Sequence, residues 1–359
     1  MTGDPAAPTP APTASSWPGV LSSLVAGQDL SVDEARWAMD QIMSGAATPA
    51  QAGGFLMALR VKGESADEMR GLADEMLAHA RAITVPGETL DIVGTGGDRA
   101  NTVNISTMSA LVVAGAGVRV VKHGNRASSS RSGSADVLEA LGVSLTLPPE
   151  AVAEVAHEAG ITFCFANAFH PSMANAAVPR RELGVGTAFN FLGPLTNPAR
   201  PTFAAVGCAD ARMAPLMAGV FAGRGARAAV FRGDDGLDEV TVSTTTSVWW
   251  VADGGVTEHT LDPADLGFAR HELSTLVGGD APHNAGVVRS VLAGEAGPVR
   301  DAVLLNAGMA LAVAGSESAG DQPWVEQVDA GVAAARRALD SGAAAAVLQR
   351  WVASTSARG

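Results

Sequence analysis

A chain of 359 residues with 47% hydrophobic and 17% charged positions can bury a large core, which excludes global disorder. Its formal net charge of -13 lacks the cationic footprint of a non-specific nucleic-acid binder, whose affinity comes mostly from phosphate neutralisation. Two cysteines, Cys164 and Cys208, are too few for a disulfide framework, and no apolar run is long enough for a bilayer. A cytoplasmic protein with no membrane partner is expected.

Residues 1–17 are rich in Pro, Ala, Thr and Ser without the basic start and apolar run of a signal peptide, and are expected to form a disordered tail. Three helices follow. Ser31 with Glu34, Thr48 with Gln51, and Ser65 with Glu68 have the spacing at which side chains satisfy the free N–H groups of a helix start. Pro49 occupies a first helical position, where its missing N–H costs nothing. Ala35, Ala38, Met39 and Ile42 give the first of these helices one apolar face. Beyond Pro86-Gly87 the texture changes. Short apolar strands at 90–93, 118–121, 161–165, 203–207 and 228–231 alternate with helical stretches and glycine-rich loops. This predicts an α/β fold with a largely parallel sheet covered on both faces, whose ligands gather at the carboxyl ends of the strands. From Pro298 onward the chain is Ala-rich and helical.

Three segments carry chemistry. Asp91-Ile-Val-Gly-Thr-Gly-Gly-Asp98 runs from a strand into glycines, so backbone N–H groups can approach an anion closely, and a helix expected near Ser106 and Thr107 would add its positive end. Arg99 breaks the dinucleotide pattern and no Gly-Lys-Ser/Thr follows, so two familiar phosphate loops are excluded. Asn101, Thr102, Asn104, Ser106 and Thr107 supply short donors, then Lys122-His-Gly-Asn-Arg126 supplies charge at the end of the next strand, and Ser128 to Ser134 supply hydroxyls. Each stretch alone is equally compatible with a tight turn or a solvated loop. In Gly233-Asp-Asp-Gly-Leu-Asp-Glu239, Asp238 and Glu239 suit magnesium, which takes one or two carboxylates plus substrate phosphates; an exposed acidic turn is the alternative. Between Phe165 and Pro198, His170, Arg180 and several Phe residues could form an apolar slot with a cationic end, while the segment from Gly193 onward reads as a rigid connection.

Taken in order, GTGGD, NTVNIST, KHGNR with SSSRSGSAD, FHPSM, RRELG, FNFLGPLTNP and DGLDE closely resemble the anthranilate phosphoribosyltransferase family from about Val20 to Val352. The resemblance implies a small all-helical domain (18–85, completed by 178–200) and a larger nucleoside phosphorylase/phosphoribosyltransferase-like α/β domain (86–177 and 201–352), paired as a homodimer. It implies transfer of a phosphoribosyl group from 5-phosphoribosyl 1-diphosphate to anthranilate with Mg2+, a step of tryptophan biosynthesis. By matching position, Gly94, Gly97, Asp98 and Thr102 would line the donor, with Asn104, Ser106, Thr107, Lys122 and Ser134 at its diphosphate. Ser106 would ligate one magnesium, and Asp238 and Glu239 another. Asn125 and Arg180, with Gly94, would contact anthranilate, and His123 and His170 would border its path. No side chain is expected to act as an acid, base or nucleophile. Arg99, Met173, Pro179 and Gly186 depart from the family pattern. A pyrimidine nucleoside phosphorylase-like enzyme and a non-catalytic nucleic-acid-binding relative are the alternatives; the first lacks the combined KHGNR, RRELG and DGLDE set, and the second requires a basic surface.

Overall fold

The computed structural model describes residues 15–127, 131–315 and 323–359. Most of the proposed tail and Ser128, Ser129 and Ser130 lie outside these residues. At the N-terminal end, helices Val32–Met43, Pro49–Lys62 and Ala66–Ala78 begin at the three expected capping boxes, each closed in both directions. A box of this kind satisfies two otherwise free backbone donors, and its cap residue is worth about 1 kcal/mol over alanine. An unexpected helix, Trp17–Val25, precedes them; Trp17 packs against Phe55 rather than belonging to a tail.

Five parallel strands form the centre of the larger unit: β1 (Leu90–Gly94), β2 (Val120–Gly124), β3 (Ile161–Phe165), β4 (Phe203–Gly207) and β5 (Arg227–Gly233). Two strands not expected from the sequence, β6 (Thr246–Ala252) and β7 (Gly255–Leu261), add an antiparallel hairpin at one edge. The order is β3-β2-β1-β4-β5-β6-β7. Strand order therefore reverses between β1 and β4, and ligands of doubly wound sheets bind in the crevice at such a switch point.

Two hydrophobic cores meet at this sheet, and the two-residue period of β-strands divides them. Phe203 and Ala205 of β4, with Ala229 and Phe231 of β5, join the core that holds the Ala-rich C-terminal helices. Ala204, Val206, Ala228 and Val230 face the other way, into the core made by the N-terminal helices. Leu192 and Leu195 also enter that second core, so the segment read as a rigid connection packs on the helical unit. Among the described residues, no helix is long and apolar enough to cross a membrane.

Candidate active site

A cavity of about 810 Å³ opens at the carboxyl ends of β1, β2, β4 and β5. Its glycine-rich wall comes from the loop after β1. Gly96 and Gly97 have φ of 70° and 90°, a region glycine enters without steric cost. Gly96 N–H donates to Asp238 Oδ2 at 2.7 Å, so the loop and the acidic pair are joined directly. A Cβ at Gly94 would overlap the Asp238 carboxylate, which fixes glycine there by contact rather than by φ. Arg99 and Asn101 adopt φ of 61° and 53°, strained for non-glycine residues, so the family-typical glycine at position 99 has a conformational reason.

Two helix starts point into the same cavity. Asn104 precedes helix Ile105–Gly115, and Ser134 begins helix Ser134–Leu141; Asn104, Ile105, Ser106, Gly133 and Ser134 all line it. Free N–H groups and the positive end of the helix dipole suit an anion here. Asn104 is held from two sides, donating to Ser132 O at 3.1 Å and accepting from Asn284 Nδ2 at 2.9 Å.

Asp238 and Glu239 follow β5 and are nearly buried. Burial, reinforced by Asp98, pushes Asp238 up to about 7; burial and then Asp238 raise Glu239. Asp98, Asp238 and Glu239 line one cavity, and carboxylate oxygens are the donor type that Mg2+ takes, one or two of them together with substrate phosphates. The Ser106 backbone N–H donates to Glu239, placing that residue beside the pair. By contrast, Asp234 and Asp235 accept from Thr245, Ser247, Thr241 and Ser243 in their own turn, and neither lines the cavity.

The expected cations are placed differently. Lys122 is 1% exposed and lies beneath the floor, its Nζ donating to Ile92 O and to Ser106 Oγ. Burial lowers its pKa, while Asp91, Glu239 and Asp238 oppose that change. Arg126 lines the cavity, yet its guanidinium is engaged by Glu139 at 2.6 and 2.8 Å and by Asp136 at 3.0 Å. Thr107 is buried and does not line the cavity, and its hydroxyl has no hydrogen-bond partner among the described residues.

The structure thus brings together Gly94, Gly97, Asp98, Thr102, Asn104, Ser106, Asn125, Ser134, Asp238 and Glu239 at one cavity. His123, His170 and Arg180 are not among the residues that line it. The two imidazoles lie 5.2 Å apart, with His123 Nδ1 bonded to Gly193 O at 3.0 Å and His170 Nε2 to Thr196 O at 2.9 Å. Burial lowers His123 to about 3 and His170 to about 4, so both are neutral near pH 7. Arg180 lies over the Phe189 ring at 5.1 Å.

Sequence reasoning passed over several supports. Asn306 seemed only to interrupt an apolar run, but it clamps the residue after Glu239, accepting from Val240 N at 2.9 Å and donating to Val240 O at 2.8 Å. Leu276 and Gly278 hold the loop after β1 through Val103 N and Asn101 O. Arg60, Asn190, Phe191 and Asp210 also line the cavity. A polar residue inside an apolar helix, as Asn306 is, was the available signal; the others had none within local spacing.

Residues 86–345 match the glycosyl transferase family, a/b domain, and residues 18–80 match the helical bundle domain of that family. The chain is 66% identical over 343 residues to an anthranilate phosphoribosyltransferase of a Nocardioides species, covering 95% of this chain and 99% of that one. The chain belongs to the anthranilate phosphoribosyltransferase family. Among solved structures of that family, the Thermus thermophilus enzyme superposes with a TM-score of 0.87 at 42% identity, covering 94% of this chain and 99% of the other. The Saccharomyces cerevisiae enzyme in complex with phosphoribosyl diphosphate and Mg gives a TM-score of 0.84 at 29% identity, covering 95% and 98%.

Proposed function

We propose that this chain transfers the 5-phosphoribosyl group from 5-phosphoribosyl 1-diphosphate to the amino group of anthranilate, releasing diphosphate, within tryptophan biosynthesis. The observation that carries this reading is the convergence of the glycine loop, two helix starts and the Asp238–Glu239 pair on one cavity at the switch point. Its chemical demands match. Diphosphate departure leaves positive charge on the sugar and concentrates negative charge on the leaving group, so donors aimed at that group supply the largest share of catalysis. Gly97, Asn104, Thr107 and Ser134 belong to the donor site in this reading, and Gly94, Asp98 and Thr102 shape it. Lys122 contributes positive charge from below through Ser106, with which it is in contact at 3.2 Å. Asp238, Glu239 and Ser106 would hold Mg2+, which when bound neutralises the diphosphate.

The acceptor amine of anthranilate is neutral near pH 7 and needs positioning more than a base. In this reading Asn125, at the cavity, and Arg180, outside its lining, direct it, with the neutral rings of His123 and His170 bordering its path. Residues 18–85 with 178–200 form the helical body, and 86–177 with 201–352 bind the donor. The protein works in the cytoplasm as a homodimer paired through the helical body, where Val25 and Val61 are 82% and 80% exposed. The deciding assay is diphosphate release from phosphoribosyl diphosphate with magnesium, with and without anthranilate. Release should depend on anthranilate; release indifferent to it rejects the function.

A further inference from the structure

Three side chains of metal-ligating type converge away from the cavity, where helices Val32–Met43 and Ala66–Ala78 pack together. Asp40 lies near the end of the first helix. Glu75 and His79 are four residues apart at the end of the second, a spacing that puts both on one face. One ligand atom from each of the three lies within 4.8 Å of the other two. His79 Nε2 is 2.9 Å from Asp40 Oδ1 and 3.7 Å from Glu75 Oε1. A ring nitrogen carries one proton at most, so it serves Asp40 and leaves Glu75 Oε1 outside hydrogen-bond range. A divalent ion, unlike a proton, would serve all three.

The other oxygen of each carboxylate is turned outward. Glu75 Oε2 accepts from Arg36 Nε at 3.0 Å, and Asp40 Oδ2 accepts from Gln41 Nε2 at 3.4 Å. Such outer partners orient the carboxylates that ligate a metal, and here they leave Oδ1 and Oε1 facing the imidazole. Ligand atoms held about 2.0–2.2 Å from a tetrahedral ion stand about 3.4 Å from one another, a spacing bracketed by the two distances to His79 Nε2. All three side chains are partly exposed, so an ion can enter and water can complete its coordination. One imidazole among oxygen ligands favours zinc over magnesium, which takes oxygen alone. We infer that Asp40, Glu75 and His79 form a zinc-binding site in the helical unit, separate from the acidic pair of the cavity. The ion would join the two helices at the cap from which the chain leaves for β1. The inference does not depend on the proposed transferase function.

Zinc titration of the untagged full-length protein tests this, followed by calorimetry and by the 15N signals of the histidine rings. Excess magnesium is kept present to occupy sites made of carboxylates alone. Zinc should bind and shift the ring signal that is missing from the His79→Gln spectrum. His79→Gln and, separately, Glu75→Gln should each weaken that binding at least about tenfold, since loss of a mere outer partner already costs that much. The melting temperature should rise with zinc in the parent and not in either variant. Far-UV circular dichroism confirms each variant's fold, and the ring signal of the parent decides the matter by itself if a variant is misfolded. Zinc binding that leaves the His79 signal in place, that magnesium displaces, or that survives in folded variants overturns the site, as does no binding; Asp40 and His79 are then a surface ion pair only.

Discussion

His123 and His170 show how much one buried contact can set. Each ring keeps one nitrogen on a backbone carbonyl and leaves the other, His123 Nε2 and His170 Nδ1, without a partner among the described residues. Their folded pKa values of about 3 and about 4 lie below the ordinary 6.5. The unfolded chain therefore takes up these protons first as pH falls. Stability is fully present above pH 6.5 and is lost as pH drops toward 4, by about 2 kcal/mol per ring between pH 7 and pH 5. Urea unfolding at those two pH values should show this loss in the parent and its near disappearance in the double variant His123→Gln, His170→Gln. An equal loss in both proteins would assign the acid sensitivity elsewhere. The resemblance had placed these residues at the acceptor's path, but only coordinates reveal that both are desolvated and neutral.

At the scale of elements, the reversal of strand order between β1 and β4 places the acidic pair against two glycines. At Gly207, the last residue of β4, a Cβ would collide with the Asp238 backbone carbonyl. That carbonyl has no flexible side chain to turn aside, so Gly207→Ala must displace the segment bearing Asp238 and Glu239. The expected cost is about 1–3 kcal/mol of stability and roughly a hundredfold in anthranilate-dependent turnover, since displacement by about 1 Å has that effect on a positioned site. Turnover within threefold of the parent would mean the acidic pair can move freely. Gly207 also shows the limit of local reading. The GTGGD loop and the DGLDE turn are legible because each needs glycine or carboxylate chemistry within a few residues. Their contact through β4 is not, because it joins positions 207 and 238 by sheet order. The hairpin β6–β7 did carry a local signal: Asp253-Gly254, with φ of 51° and 73°, is the turn pair that two-residue hairpins favour. The helix starts were the most legible elements, since Ser31, Thr48 and Ser65 each specify a cap with their own side chain.

Across the whole molecule, the helical unit and the sheet are tied by charge as well as by packing. Glu64 has a fully buried side chain, and its Oε2 accepts from Arg212 Nη2 at 2.5 Å, from the region after β4. Glu64 Oε1 has no hydrogen-bond partner among the described residues. Arg212→Met would leave a buried carboxylate uncompensated, a defect costing about 3–5 kcal/mol in a dry site and nearer 2 kcal/mol here, because Arg212 is itself part-exposed. Chemical denaturation at pH 7 should register that loss. An unchanged midpoint would show that water compensates Glu64 fully. Arg224 makes a second tie, to Asp74 at 2.6 Å, so the joint does not depend on one pair.

The alternation of β4 and β5 between two cores has a further consequence for inheritance. The partition between those cores is a single layer of backbone, with Ala204, Val206, Ala228 and Val230 on one side and Phe203, Ala205, Ala229 and Phe231 on the other. A chimaera between two homologues, spliced where the N-terminal helices end, would therefore mismatch half of each strand's side chains. Recombination can exchange the helical unit successfully only if the inward residues of β4 and β5 come from the same parent, though more than a hundred positions separate them along the chain. The natural unit of descent in this fold is a set of contacts, and it is discontinuous in the gene.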